Sequence, residues 1–202
     1  MTKQKVVLFD AMGVIYTDGD DTVNLTYPFM KRYNPGLQLQ TLVDGYAEAC
    51  VARITPDQLW ARCGITENIP SLEQDYLDTM LELDPDAPMV LERLSHSCRL
   101  GMLSNDIGRW SAHLRRHFDL DRYFEQSVIS GDVKQRKPDP GIYLLAAQRM
   151  KAEPSDCVFV DDRPVNLAAS AAVGMRPILY NRAGHVYAGE QIQRLSQLLD
   201  LL

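Results

Sequence analysis

The chain has 202 residues, 46% of them hydrophobic and 24% charged, and a formal net charge of -6. That length supports one sizeable core with room for a small insertion. The acidic balance argues against a nucleic-acid partner, which rewards clustered Lys and Arg, and no apolar run approaches the roughly 20 residues of a membrane helix.

The opening MTKQKVVLFD carries two lysines and then a short apolar run. A signal peptide needs a longer apolar stretch and a small-residue cleavage site. KVVLFD (5–10) reads instead as a buried strand. Residues 17–83 offer no strand but several helical stretches. TPDQLWARCG (55–64) begins with Thr55 as N-cap and Pro56 at the first helical position, and closes at Gly64. SLEQDYLDTML (71–81) offers Ser71 as a cap with Gln74 three residues on.

Beyond residue 84 helix and strand alternate. A helix is predicted over 88–94, then the strand CRLGMLSN (98–105), a helix over 107–118 and a strand at QSVIS (126–130). PDPGIYLLAAQRM (138–150) predicts a helix, SDCVFVDD (155–162) a strand, 164–173 a helix closed by Gly174. RPILY (176–180) is the last strand, and 191–201 is an amphipathic helix. This alternation predicts an α/β fold, a three-layer Rossmann-like core with a parallel sheet and helices on both faces. Ligands of such sheets sit at the carboxyl ends of the strands. The polar residues that finish the strands therefore converge: Asp10, Ser104 with Asn105, and Asp161 with Asp162.

The cysteines, Cys50, Cys63, Cys98 and Cys157, form no C-x-x-C pair and have no histidine at zinc-ligand spacing. They read as reduced, mostly buried thiols of a cytoplasmic protein. His96, His113, His117 and His185 have no partner pattern and read as surface or packing residues. Trp60 and Trp110 read as packing.

Asp10 after strand one, Ser104-Asn105, Lys137-Pro138 at a helix start and Asp161-Asp162 follow one another in an order that resembles the haloacid dehalogenase-like hydrolase superfamily. KPDPGIY and VFVDDRPVNLAASAAVGM carry the most specific likeness. The resemblance implies a catalytic core at 1–16 and 84–202 with a small helical cap at 17–83. It implies Asp10 as the nucleophile of an aspartyl-phosphate mechanism, with Ser104, Asn105 and Lys137 holding the transferring group. It implies Mg2+ held by Asp10, the carbonyl of Met12 and Asp162, with Asp161 behind it and Asn166 in support. The physics agrees: three carboxylates at adjacent strand ends repel one another unless a cation offsets them, and a hard divalent ion with oxygen ligands does so.

Met12 departs from the pattern. Superfamily phosphatases usually carry a second aspartate there as acid and base, help worth roughly 10²–10⁴-fold. Three readings follow. The first is a Mg2+-dependent phosphatase of a small phosphorylated metabolite, favouring good leaving groups or borrowing Asp18, Asp20, Asp21 or Asp106. The second resembles the 2-haloacid dehalogenases, whose first motif FDAYGT is close to FDAMGV and whose halide needs no proton. Those enzymes work without metal and use a cap arginine, for which Arg32 is available. The third is a catalytically impaired homologue that only binds phosphate.

Overall fold

The computed structural model describes residues 4–202; the first three residues of the predicted core segment 1–16 lie outside them. Strand β1 (Val6–Phe9) leads into a π-helical turn (Thr22–Thr26) that runs on as α1 (Tyr27–Lys31). Then come α2 (Leu39–Ala49), α3 (Pro56–Arg62), α4 (Ile69–Thr79) and α5 (Ala87–Ser95). The alternating part continues with β2 (Arg99–Ser104), α6 (Gly108–His117), β3 (Phe124–Ile129), α7 (Ser130–Val133) and α8 (Pro140–Arg149). It ends with β4 (Cys157–Asp161), α9 (Pro164–Ala172), β5 (Arg176–Tyr180), β6 (Gln191–Ile192) and α10 (Leu198–Leu201).

The sheet has six strands in the order β3-β2-β1-β4-β5-β6, and every recorded pairing is parallel. β1 is central, which explains its unbroken apolar run: a strand covered on both faces has no polar side. Its residues alternate between two cores, as strand geometry requires. Val7 and Phe9 pack with residues of α5, α6 and α10, whereas Val6 and Leu8 pack with residues of α8 and α9. Those are the three predicted layers. Phe9 stands opposite both Met102 and Val160, so β1, β2 and β4 end level and their next polar residues share one rim.

Between Tyr16 and Leu83 the regular structure is all helical. The two ends of this insertion lie side by side: the Thr17 N–H donates to the Glu82 carbonyl (2.9 Å) and the Asp84 N–H to that of Ile15 (2.8 Å). α3 begins with the predicted capping box. Its Thr55 hydroxyl accepts from the Gln58 N–H, and the Gln58 side chain accepts from the Thr55 N–H. The insertion packs on α6 through a cluster of rings, with Trp110 against Tyr46, Trp60 and Tyr76. Both tryptophans are thus packing residues.

Two expectations need correction. α4 begins at Ile69 with Asn68 before it in the left-handed region, so Ser71 lies in the first turn and caps nothing. The reason is Pro70, which a helix accepts only in its first turn and which draws the start forward. The predicted helix 191–201 is instead a short strand, a 3-10 turn (Leu195–Gln197) and one turn of α-helix. β5 would otherwise end the sheet with unpaired backbone groups. Leu179 and Asn181 donate to the carbonyls of Glu190 and Ile192 at 2.9 and 2.8 Å. Ile192, Leu195 and Leu198 are buried all the same, because a three-residue spacing serves either conformation.

Candidate active site

The rim of β1, β2 and β4 opens into a cavity of about 420 Å³ lined by Asp10, Met12, Ser104, Asn105 and Lys137 from the core. Asp20, Asp21, Val43, Tyr46 and Cys50 line it from the insertion. Asp10 is buried directly after β1, and its own N–H donates to the Val160 carbonyl at 2.9 Å. Its Oδ1 receives the Ala11 N–H at 2.7 Å and lies 2.7 Å from Lys137 Nζ.

Lys137 is 2% exposed, a rare state for a lysine without partners. Nζ bridges Asp10 and Asp161, the latter at 2.8 Å. Burial works against its charge, but Asp10 and Asp161 outweigh it and hold the lysine protonated beyond its usual range. The loop that carries Lys137 is clamped by Asn105. The Asn105 amide donates to the Lys137 carbonyl (2.9 Å) and accepts from the Lys137 N–H (2.8 Å). The side chain of Asn105 is therefore committed to positioning Lys137, and it is the residue's place on the cavity wall that faces a ligand.

Asp161 and Asp162 are adjacent but differently engaged. Asp161 is fully buried and accepts from Lys137, from the Arg163 N–H (2.8 Å) and from both directions of the Asn166 amide (3.1 and 3.0 Å). Asp162 is free of such bonds at Oδ1, which is buried and unpartnered. Its carboxylate lies against Gly13 and Gly19, where a Cβ on either glycine would collide with it. Gly13 also has φ +76°, so its lack of a side chain serves both backbone and neighbour. The Ser104 hydroxyl is likewise buried and has no partner among the described residues.

The carboxylates of Asp10, Asp161 and Asp162 place oxygens within 4.8 Å of one another. One buried lysine cannot balance three such charges. Burial, with Asp161 and Asp162 close by, outweighs Lys137 and pushes Asp10 up to about 8. Burial and Asp161 push Asp162 up to about 6. The site thus holds on to protons where a cation would otherwise serve. An orphaned carboxylate oxygen, two further carboxylates and a net deficit of positive charge fit a hard divalent cation with oxygen ligands.

Of the acids considered as substitutes for the group missing at Met12, Asp20 and Asp21 reach the cavity wall. Asp21 is buried, and burial together with Asp18 raises it to about 7. Asp18 is occupied by the Asp20 N–H and the Asn24 amide. Asp106 lies behind the wall, where it accepts from Tyr46 and the Ile107 N–H. Arg32 stacks on Phe29 and does not line the cavity. Arg136 and Arg163 do line it. Sequence reasoning passed over both, although Arg163 directly follows the aspartate pair.

A family model described as haloacid dehalogenase-like hydrolase matches residues 4–174. The (S)-2-haloacid dehalogenase 4A of Burkholderia cepacia is 28% identical over 177 residues, 81% of this chain and 74% of that protein. The fructose-1-phosphate phosphatase YqaB of Escherichia coli is 40% identical over 62 residues, 31% of this chain and 33% of that protein. The matches to three curated relatives span only 30%, 23% and 33% of their lengths. In structure, a HAD phosphatase from Thermococcus onnurineus superposes with a TM-score of 0.74 at 23% identity, covering 98% of this chain and 97% of that one. Among the described residues no helix is long and apolar enough to cross a membrane. With a match over residues 4–174, the chain belongs to the haloacid dehalogenase-like hydrolase family.

Proposed function

We propose that the protein is a Mg2+-dependent phosphatase of a small phosphorylated metabolite, with Asp10 as nucleophile and residues 17–83 as the cap over the site. The observation that carries this reading is the three-carboxylate cluster with a single buried lysine and an unpartnered Asp162 oxygen. Phosphoryl oxygens and a divalent ion complete such a set; a halide does not. Asp10, the Met12 carbonyl and Asp162 would hold the ion, with Asp161 behind them. When bound, Mg2+ supplies the positive charge that favours ionised Asp10 and draws charge off the transferring oxygens.

The chain's own groups then have separate tasks. Asp10 Oδ1 is held by Lys137 and Ala11, which leaves Oδ2 to attack phosphorus in line and form the aspartyl-phosphate. Lys137 Nζ neutralises charge between nucleophile and phosphoryl group. The free Ser104 hydroxyl donates to a phosphoryl oxygen. Asp21 gives its proton to the departing alkoxide and takes one back from the water that hydrolyses the intermediate. A carboxyl near 7 is suited to both directions at neutral pH. The cap excludes competing water. Relatives named for fructose-1-phosphate and phosphorylated carbohydrates support a sugar-phosphate-sized substrate, and the four free, buried cysteines suit a reducing cytoplasm.

The dehalogenase reading is favoured by Met12 and by the long match to the Burkholderia enzyme. A panel of phosphate esters and 2-haloacids, assayed with Mg2+ and with EDTA, separates the two. Phosphate release that requires Mg2+ is the expected result. Chloride release in EDTA would overturn it, and tight phosphate binding with no turnover would mark an impaired homologue.

Asp21→Asn should slow hydrolysis of alkyl phosphates by about 10²-fold or more and of aryl phosphates much less. It should also remove the fall in rate above about pH 7 that follows loss of this proton. Equal losses on both substrate types would show that Asp21 does not serve the leaving group.

A further inference from the structure

The sequence places His113 and His117 one helical turn apart without a partner. The fold supplies one. Asp78 of α4, in the insertion, reaches across to both histidines on α6 of the core. Its Oδ1 lies 2.6 Å from His113 Nε2 and 3.2 Å from His117 Nδ1. The ligand atoms of all three side chains fall within 4.8 Å of one another. The two imidazoles are nearly parallel, at 16°, with centroids 6.1 Å apart. We propose that Asp78, His113 and His117 form a transition-metal site that joins the insertion to the core.

The geometry and chemistry agree on the class of ion. A tetrahedral zinc with bonds of about 2.0–2.1 Å holds its ligand atoms roughly 3.4 Å apart, within the span these atoms already occupy. Small rotamer adjustments on two helix surfaces complete the fit. Two imidazoles and one carboxylate select Zn2+, Ni2+ or Cu2+ rather than Mg2+, so the site differs in kind from the all-oxygen cluster at Asp10. The supports are in place. Gln74 donates to the other Asp78 oxygen at 3.4 Å, and His117 is fixed edge-on against Phe118 with centroids 4.7 Å apart. Side-chain exposures of 29%, 29% and 37% leave one side open for water as the fourth ligand.

The same seam holds the ion pairs of Arg109 with Glu73 and Asp57. A metal here adds a coordinate link between α4 and α6 and so restrains the insertion against the core. If the insertion is the cap proposed above, the ion should slow turnover by hindering its opening. That consequence rests on the proposed function; the metal site does not.

The test is a titration of the full chain with Zn2+ in excess Mg2+, followed by thermal unfolding and calorimetry. Wild type should bind one Zn2+ at this site and gain about 5–10 °C in Tm at a hundredfold excess over Kd. Asp162→Asn should keep that gain, which excludes the Asp10 cluster as its source. His117→Ala and Asp78→Asn should each lose it. Both positions are partly exposed, and folding is checked by Tm without zinc. Imidazole resonances of His113 and His117 should shift with zinc in the wild type. An unchanged Tm and unshifted resonances, or an equal gain in His117→Ala, would overturn the site. If phosphatase turnover proves absent while the gain follows these variants, the metal site stands and the functional reading fails alone.

Discussion

Asp10→Asn should abolish turnover, by roughly 10³-fold or more, while leaving the protein folded. The amide keeps the size and shape of the carboxyl, so the packing at the end of β1 is preserved. It has no ionised oxygen to attack phosphorus, and no neighbour can replace it: Asp161 is fully engaged by Lys137, Arg163 and Asn166. Stability should move the other way in metal-free protein. Asp10 rises from 3.8 unfolded to about 8 folded. A carboxyl raised on folding favours the native state at low pH, and this contribution is lost as pH climbs from about 4 to about 8. Asparagine does not ionise and carries no such loss. Metal-free Asp10→Asn should therefore be more stable than metal-free wild type at pH 8, and the difference should shrink toward pH 5. Phosphate-release assays and Tm against pH measure both effects. Residual activity near wild type would remove Asp10 from the nucleophile's role.

Lys137→Met is expected to cost more in stability than other single changes at the site. The methionine fills similar space but leaves Asp10 and Asp161 buried without their shared cation. Breaking a buried pair in this way costs about 3–5 kcal/mol, which in a chain of this size lowers Tm by roughly 10 °C. The catalytic loss should be about 10²–10³-fold, the usual effect of removing one charge-stabilising donor. Saturating Mg2+ should restore part of the Tm, because it offsets the same carboxylates, but not the rate, because Nζ is also the group beside the phosphoryl oxygens. A Tm within about 2 °C of wild type without metal would show that the bridge contributes little.

Much of this architecture was legible in the sequence, for identifiable reasons. VVLF and CVFV are apolar without alternation, and only a strand covered on both faces tolerates that. Aspartates directly after such strands had to share the rim of a parallel sheet. Thr55 and Pro56 marked a helix start because capping is local chemistry, complete within four residues. The errors arose where local signals were degenerate. The apolar spacing of Ile192, Leu195 and Leu198 suits a helix, and only the open edge of β5 turned its start into a strand. Ser71 satisfied a cap pattern that Pro70 overrode.

The sequence by itself determined the fold class, the order of the motif residues and the anomaly at Met12, because these depend on periodicity and on residue identity along the chain. Only the tertiary structure decided which acids accompany Asp10. Asp21 and Tyr46 reach the cavity from the insertion, and Asp106 does not reach it. The separation of Asp161, saturated, from Asp162, left with a free oxygen, was equally invisible, since both are strand-end aspartates until their neighbours are in place. The meeting of Asp78 with His113 and His117 depends on how α4 crosses α6, a packing angle that no local pattern encodes.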